Sequence, residues 1–203
     1  MTAPHPVAGN VYDKYGTHNP VARRLMAGFD RGMRELLGVA RDVSSVLEVG
    51  CGEGEVLEKI TVWFPRARVR GTDLSPEIVA EARRRHPGLD FQVMSVYDAP
   101  GAGGPVDLVL ASEVLEHVED PARALRALRR SAARYVFASV PREPAWRMLN
   151  LARGKYVRDL GNTPGHLQHW SQGGFLRFLS TELEVLEVRS PLPWTQALCR
   201  PRP

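Results

Sequence analysis

Leu25, Met26, Phe29, Met33, Leu36 and Leu37 recur at helical spacing and predict a helix over residues 20–38. Pro20 suits its first turn and Gly38 its end. A short apolar run at 44–49 then predicts a strand, and the mixed stretch 53–64 a helix. The alternation continues with a strand at 68–72, a helix at 75–86, strands at 90–94 and 106–111, a helix at 120–133 and a strand at 134–140. Ser75 before Pro76 reads as an N-cap followed by a first-turn proline, and Asp120 before Pro121 repeats that signature. The near-continuous apolar character of 106–111 fits a strand buried on both faces of a parallel sheet. Residues 99–105, rich in glycine and proline, read as a loop, and 141–170 as the longest irregular region. A short helix at 171–179 and strands at 183–188 and 195–199 close the sheet. Strands alternating with helices predict a doubly wound α/β domain.

Length and composition narrow this picture without changing it. The 203 residues suit one structural domain with a full core, and 43% hydrophobic with 25% charged residues is ordinary for a globular chain. No apolar run reaches the roughly 20 residues of a membrane span, and residues 1–10 do not resemble a secretory signal. Stable membrane insertion is therefore not expected. Cys51 and Cys199 make no disulfide framework, which fits a reducing, cytoplasmic setting. The net charge of +4 rests almost entirely on arginine, with Lys14, Lys59 and Lys155 the three lysines. That pattern suits genomic base composition better than a phosphate-tracking surface, so no nucleic-acid partner is expected.

The most informative segment is Val46-Leu47-Glu48-Val49-Gly50-Cys51-Gly52-Glu53-Gly54. Alternating glycines after a strand let backbone approach a ligand closely. An acid, Asp73, closes the next apolar run where a carboxylate can accept hydrogen bonds from both ribose hydroxyls. The combination points to a nucleoside cofactor. Nicotinamide and flavin sites place their glycines as G-x-G-x-x-G, whereas Gly50, Gly52 and Gly54 are two apart. Glu48 would repel a pyrophosphate but suits a ligand bearing an ammonium group, such as S-adenosylmethionine.

Here the sequence resembles the class I S-adenosylmethionine-dependent methyltransferases. Residues 46–54 look like their first motif, Gly71-Thr72-Asp73-Leu74 like their ribose-binding strand end, and residues 106–121 like their fourth strand and the turn after it. The resemblance implies a Rossmann-like, mostly parallel seven-stranded sheet whose last strand is antiparallel. It implies that Gly50 and Gly52 pass beneath the methionine part of S-adenosylmethionine with Glu48 nearby, that Asp73 holds the ribose, and that Leu74 lies on adenine. Ser95 and Val96 would close over the adenine edge. Relatives often carry an acid at the place of Val96; here Asp98 follows two positions later, and a backbone contact from Val96 is preferred.

Methyl transfer from a sulfonium needs positioning and desolvation, with a base only where the acceptor must lose a proton. Ser112 and Glu113, after the fourth strand, should face the methionine end of the cofactor, and His117 on the same turn is a candidate base beside Glu113. His117 packing within the turn is the plainer account. Tyr12 or Tyr15 would cover the cofactor as part of a lid. His166 and His169 are three apart, but no third ligand is evident near them, so no metal is expected. Arg142 and Arg153 are candidates for an anionic acceptor. Arg123, Arg126, Arg129, Arg130 and Arg134 are read as a solvated helix face, with lipid contact as the lesser alternative.

The expectation is a small-molecule methyltransferase with S-adenosylmethionine as cofactor and S-adenosylhomocysteine as product. Residues 1–43 would form a helical cap, 44–203 the core, and 141–170 an acceptor-site insertion. Two rivals stand beside it: an NAD(P)-dependent oxidoreductase on a similar sheet, and a binder of S-adenosylmethionine without chemistry.

Overall fold

The computed structural model describes residues 19–156 and 159–202. Its elements run in the order α1 (Pro20–Leu37), β1 (Ser45–Val49), α2 (Glu55–Trp63), β2 (Arg68–Asp73), α3 (Pro76–Arg85), β3 (Asp90–Val93), a 3₁₀ turn (Val96–Gly101), β4 (Val106–Ser112), a second 3₁₀ turn (Leu115–His117), α4 (Pro121–Ser131), β5 (Ala132–Pro141), α5 (Ala145–Ala152), α6 (Gln172–Leu179), β6 (Leu183–Arg189) and β7 (Trp194–Pro201). The strands form one seven-stranded sheet in the order β3-β2-β1-β4-β5-β7-β6. Strands β1 to β5 are parallel, and β7 runs antiparallel to both β5 and β6. The expected Rossmann-like sheet with an antiparallel last strand is what the chain forms.

Period-two alternation sorts the core to the two faces of this sheet. Val46, Leu108, Leu110, Phe137 and Leu198 pack with Phe29, Met33 and Leu36 of α1 and with Val56 and Ile60 of α2. Leu47, Val109, Ala111, Val136 and Ala138 pack with Leu125 and Leu128 of α4 and with Phe175 and Leu179 of α6. Both faces are thereby covered, which explains the near-continuous apolar run of β4. Side-chain caps set the helix starts. Asn19, Ser75, Asp120 and Ser171 each accept a backbone N–H from the first turn of α1, α3, α4 and α6.

Three stretches differ from the sequence reading. Part of the predicted 99–105 loop is a 3₁₀ turn, begun by Ser95, whose hydroxyl accepts from the Tyr97 N–H at 3.3 Å. Helix α4 ends at Ser131 rather than near 133, because Ala132 already pairs with Val106 in the sheet. Arg134 therefore belongs to β5 and donates to the Asp42 carbonyl, not to the basic helix face. Within the expected irregular region, residues 145–152 form α5, and Arg142 makes an isolated parallel bridge to Trp170.

Candidate functional site

The carboxyl ends of β1, β2 and β4 converge, as ligand-binding ends do in open α/β sheets. After β1 the chain turns through Gly50, Gly52 and Gly54 at φ of 67°, 54° and 93°. A Cβ on Gly50 would lie 2.5 Å from a methyl of Val114, so both its conformation and its surroundings call for glycine. Cys51 N–H donates to the Thr72 carbonyl at 2.9 Å and Gly54 N–H to the Cys51 carbonyl at 3.0 Å, tying the turn to β2.

Asp73 sits 8% exposed at the end of β2. Its carboxylate accepts from Gly52 N–H and from Ser75 N–H, both at 3.1 Å. The glycine turn and the acid are thus one hydrogen-bonded unit, with the acid held at the strand end. Leu74, the next residue, is 53% exposed, an apolar surface left open beside the acid. Met94 N–H donates to the Asp73 carbonyl at 2.8 Å, bringing Ser95 and the buried Val96 alongside. Asp98 lies exposed on the 3₁₀ turn.

Glu48 is 2% exposed, and its Oε2 has no hydrogen-bond partner. Burial, and then the charge of Asp73, push its carboxyl well above the ordinary range. Burial also pushes the Cys51 thiol up, with Glu48 adding to the effect, so this loop thiol is not a nucleophile at neutral pH. A buried acid beside a second acid is costly unless a cation or proton answers it. An amino-acid ammonium would do so, while a pyrophosphate would add to the repulsion. The unsatisfied Glu48 oxygen, the positive-φ glycines and the anchored Asp73 fit S-adenosylmethionine and not a dinucleotide.

Past β4, the buried hydroxyl of Ser112 also has no partner. Glu113 takes φ 60°, and its N–H donates to the Ser139 carbonyl at 3.1 Å. His117 Nδ1 lies 2.9 Å from the Gly165 carbonyl. A carbonyl only accepts, so Nδ1 carries a proton.

Part of the 141–170 stretch packs against the turn after β4. His166 meets His117 edge to face at 4.9 Å between ring centroids, and Trp146 stacks on His166 at 6.0 Å. Trp146 continues to Trp194 at 5.9 Å, and its Nε1–H donates to the Thr163 hydroxyl. His166 and His169 do not act together: His169 Nε2 instead lies 2.7 Å from Asn162 Oδ1. Arg142 reaches Gln172, and Arg153 is exposed. Tyr12 and Tyr15 lie outside the described residues.

Sequence reasoning missed Glu116, Trp194 and Ser139. Glu116 is 1% exposed beside His117. Ser139 stands opposite Ser112 in the β4–β5 register, and its buried hydroxyl also lacks a partner. For Ser139 the available signal was a polar residue inside an otherwise apolar strand.

Residues 47–134 match the family described as "Methyltransferase domain". Ubiquinone biosynthesis O-methyltransferase of Xanthomonas campestris pv. campestris (strain B100) is 34% identical over 173 residues, covering 77% of this chain and 70% of that protein. Trans-aconitate 2-methyltransferase of Methylobacterium nodulans is 40% identical over 91 residues, covering 43% of this chain and 34% of that protein. The chain spans about a third of the length of the first curated relatives it matches. Among solved structures, magnesium protoporphyrin IX methyltransferase from Synechocystis with bound S-adenosylhomocysteine superposes with a TM-score of 0.68 at 17% identity, over 92% of this chain and 90% of that one.

Proposed function

Because the chain belongs to the class I S-adenosylmethionine-dependent methyltransferases, we propose that it transfers a methyl group from S-adenosylmethionine to a small-molecule acceptor. The observation that carries this reading is the buried, unsatisfied Glu48 above a glycine turn hydrogen-bonded to Asp73. Relatives named for trans-aconitate and for ubiquinone biosynthesis support an acceptor of low molecular weight. The oxidoreductase alternative is disfavoured by the family and by the acid at Glu48.

The cofactor supplies an electrophilic methyl on a sulfonium that leaves as a neutral thioether. Asp73 takes the ribose hydroxyls and Leu74 the adenine face. Ser95 and the Val96 backbone close the adenine edge. Gly50 and Gly52 run beneath the methionine part, where Glu48 answers its ammonium, and Ser112 lies alongside. Residues 141–170 enclose the acceptor. Where the acceptor carries a proton, His117 Nε2 takes it, with the Gly165 carbonyl holding the ring and Glu113 as the second candidate base. The stacked face of Trp146 and His166 suits a flat or unsaturated acceptor.

No described helix is long and apolar enough to cross a membrane. A cytoplasmic location is supported by the free, buried thiols of Cys51 and Cys199.

The experiment is S-adenosylhomocysteine release from the purified protein, S-adenosylmethionine and a panel of phenols, enols and carboxylic acids. Release with at least one acceptor, accompanied by a mass gain of one methylene on that acceptor, is expected. Cofactor binding without release on any of them would make the protein a binder without chemistry.

A further inference from the structure

We propose a divalent transition-metal site formed by Glu116, His117 and His166, at the boundary between the cofactor end of the sheet and the 141–170 region. One ligand atom from each of these residues lies within 4.8 Å of the other two. An ion about 2.1 Å from each ligand, in tetrahedral geometry, holds such atoms about 3.4 Å apart. The three ligand atoms therefore stand within side-chain reach of that spacing.

The surroundings are built to keep these three groups together. Glu116 and His117 are neighbours on the 3₁₀ turn after β4, whereas His166 arrives from nearly fifty residues later. The later strand of chain is fastened around His166 by backbone. Leu167 and Gln168 N–H donate to the Glu116 carbonyl at 2.8 and 3.0 Å, and Gly165 accepts from His117 Nδ1. That last bond also does what supporting contacts do in metal sites. It fixes the tautomer, turns Nε2 into the coordinating atom and makes it a better donor. Trp146 stacks along the His166 ring at an interplanar angle of 27° and is itself tied to Thr163, which sets the orientation of the second imidazole. Glu116 is 1% exposed, so its carboxylate is shielded from bulk water.

Donor chemistry selects the ion class. Two imidazoles and one carboxylate suit Zn²⁺, Co²⁺ or Fe²⁺ and leave at least one position open, while Mg²⁺ and Ca²⁺ prefer all-oxygen shells. On the methyl-transfer reading above, the occupant of that open position would be an acceptor oxygen. A hydroxyl bound there gives its proton to solvent more readily, and its oxygen can then attack the methyl carbon as the carbon–sulfur bond breaks. His117 in this arrangement is a ligand and not a base. A second trio, Glu55, Glu58 and His86, is a weaker candidate, since Glu55 is paired with Arg85 at the surface.

The test is titration of the full, chelator-treated chain with Co²⁺ and then Zn²⁺, followed by visible absorption and calorimetry without any cofactor or acceptor. One Co²⁺ per chain, with the intense visible bands of a four- or five-coordinate site and displacement by Zn²⁺, is expected. His166→Ala and Glu116→Gln should each weaken binding tenfold or more, and His169→Ala should leave it unchanged. S-adenosylhomocysteine affinity within about twofold of wild type certifies that each variant is folded. Failure of the wild type to take up one ion overturns the site whatever the variants do, as does undiminished binding by folded His166→Ala. Metal uptake without any S-adenosylhomocysteine binding would leave the site standing and overturn the methyl-transfer reading instead.

Discussion

The two ends of the active region are held together in different ways. On the cofactor side, Gly52, Cys51 and Ser75 engage through backbone N–H groups, and Asp73 is locked by two of them within a span of 24 residues. On the acceptor side, His117, His166, Trp146 and Trp194 meet through ring faces and edges, drawn from four separate parts of the chain. Backbone geometry is insensitive to side-chain identity and serves a ligand that never changes. Side-chain contacts can be exchanged one at a time, so the acceptor pocket proposed from them could be remodelled without disturbing cofactor binding.

The sharpest way to break this contrast is at Asp73. Asp73→Ala removes the anchor for two backbone N–H groups and the proposed ribose acceptor, so S-adenosylhomocysteine affinity should fall about 100-fold by calorimetry. A loss below about threefold would show that the turn holds without it. On the other side, Trp146→Ala should raise the acceptor KM by up to about tenfold while leaving S-adenosylhomocysteine affinity within about twofold. Equal losses on both sides would mean that the two ends are one mechanical unit.

Gly50→Ala tests the backbone account from within. The added Cβ meets Val114 and forces a non-glycine residue into positive φ, so stability should fall by about 1–2 kcal/mol in denaturant unfolding. Adding Val114→Ala should recover only part of that, because the conformational cost remains. Full recovery would assign the glycine to packing alone.

Glu48 gives the smallest effect and the clearest sign. Its carboxyl is raised in the folded protein, so the native state binds more protons than the unfolded chain. Its contribution to stability therefore declines as pH rises above about 4.3, the unfolded value, towards the higher folded value. Glu48→Gln should remove that decline and raise the melting temperature of the ligand-free protein by a few degrees near neutral pH. The same variant should bind S-adenosylmethionine several-fold more weakly and lack the strengthening of binding with rising pH expected of the wild type.

The same contrast explains what was legible in the sequence. Glycine spacing, the acid at position 48 and the acid at 73 act through neighbours a few residues away or one strand over, so they leave local patterns. The alternation of β1 to β5 with their helices was equally readable, because each strand carries its own period. Pairing the other way, the His117–His166 contact depends on where a long connection returns, and no local pattern encodes that. The spacing of His166 and His169 allowed a shared helical face, yet the chain at 160–170 is not helical, and each ring found a different neighbour. The over-long α4 failed for a related reason: Ala132 and Ala133 suit a helix, but pairing with β4 recruits them into the sheet.

The most direct test of the account is calorimetric titration of the unmodified chain with S-adenosylmethionine and, separately, with NAD⁺ and NADP⁺. One S-adenosylmethionine per chain in the micromolar range, with no heat from either dinucleotide, is the result that the Glu48, Gly50 and Asp73 geometry predicts. Dinucleotide binding without any affinity for S-adenosylmethionine would contradict it.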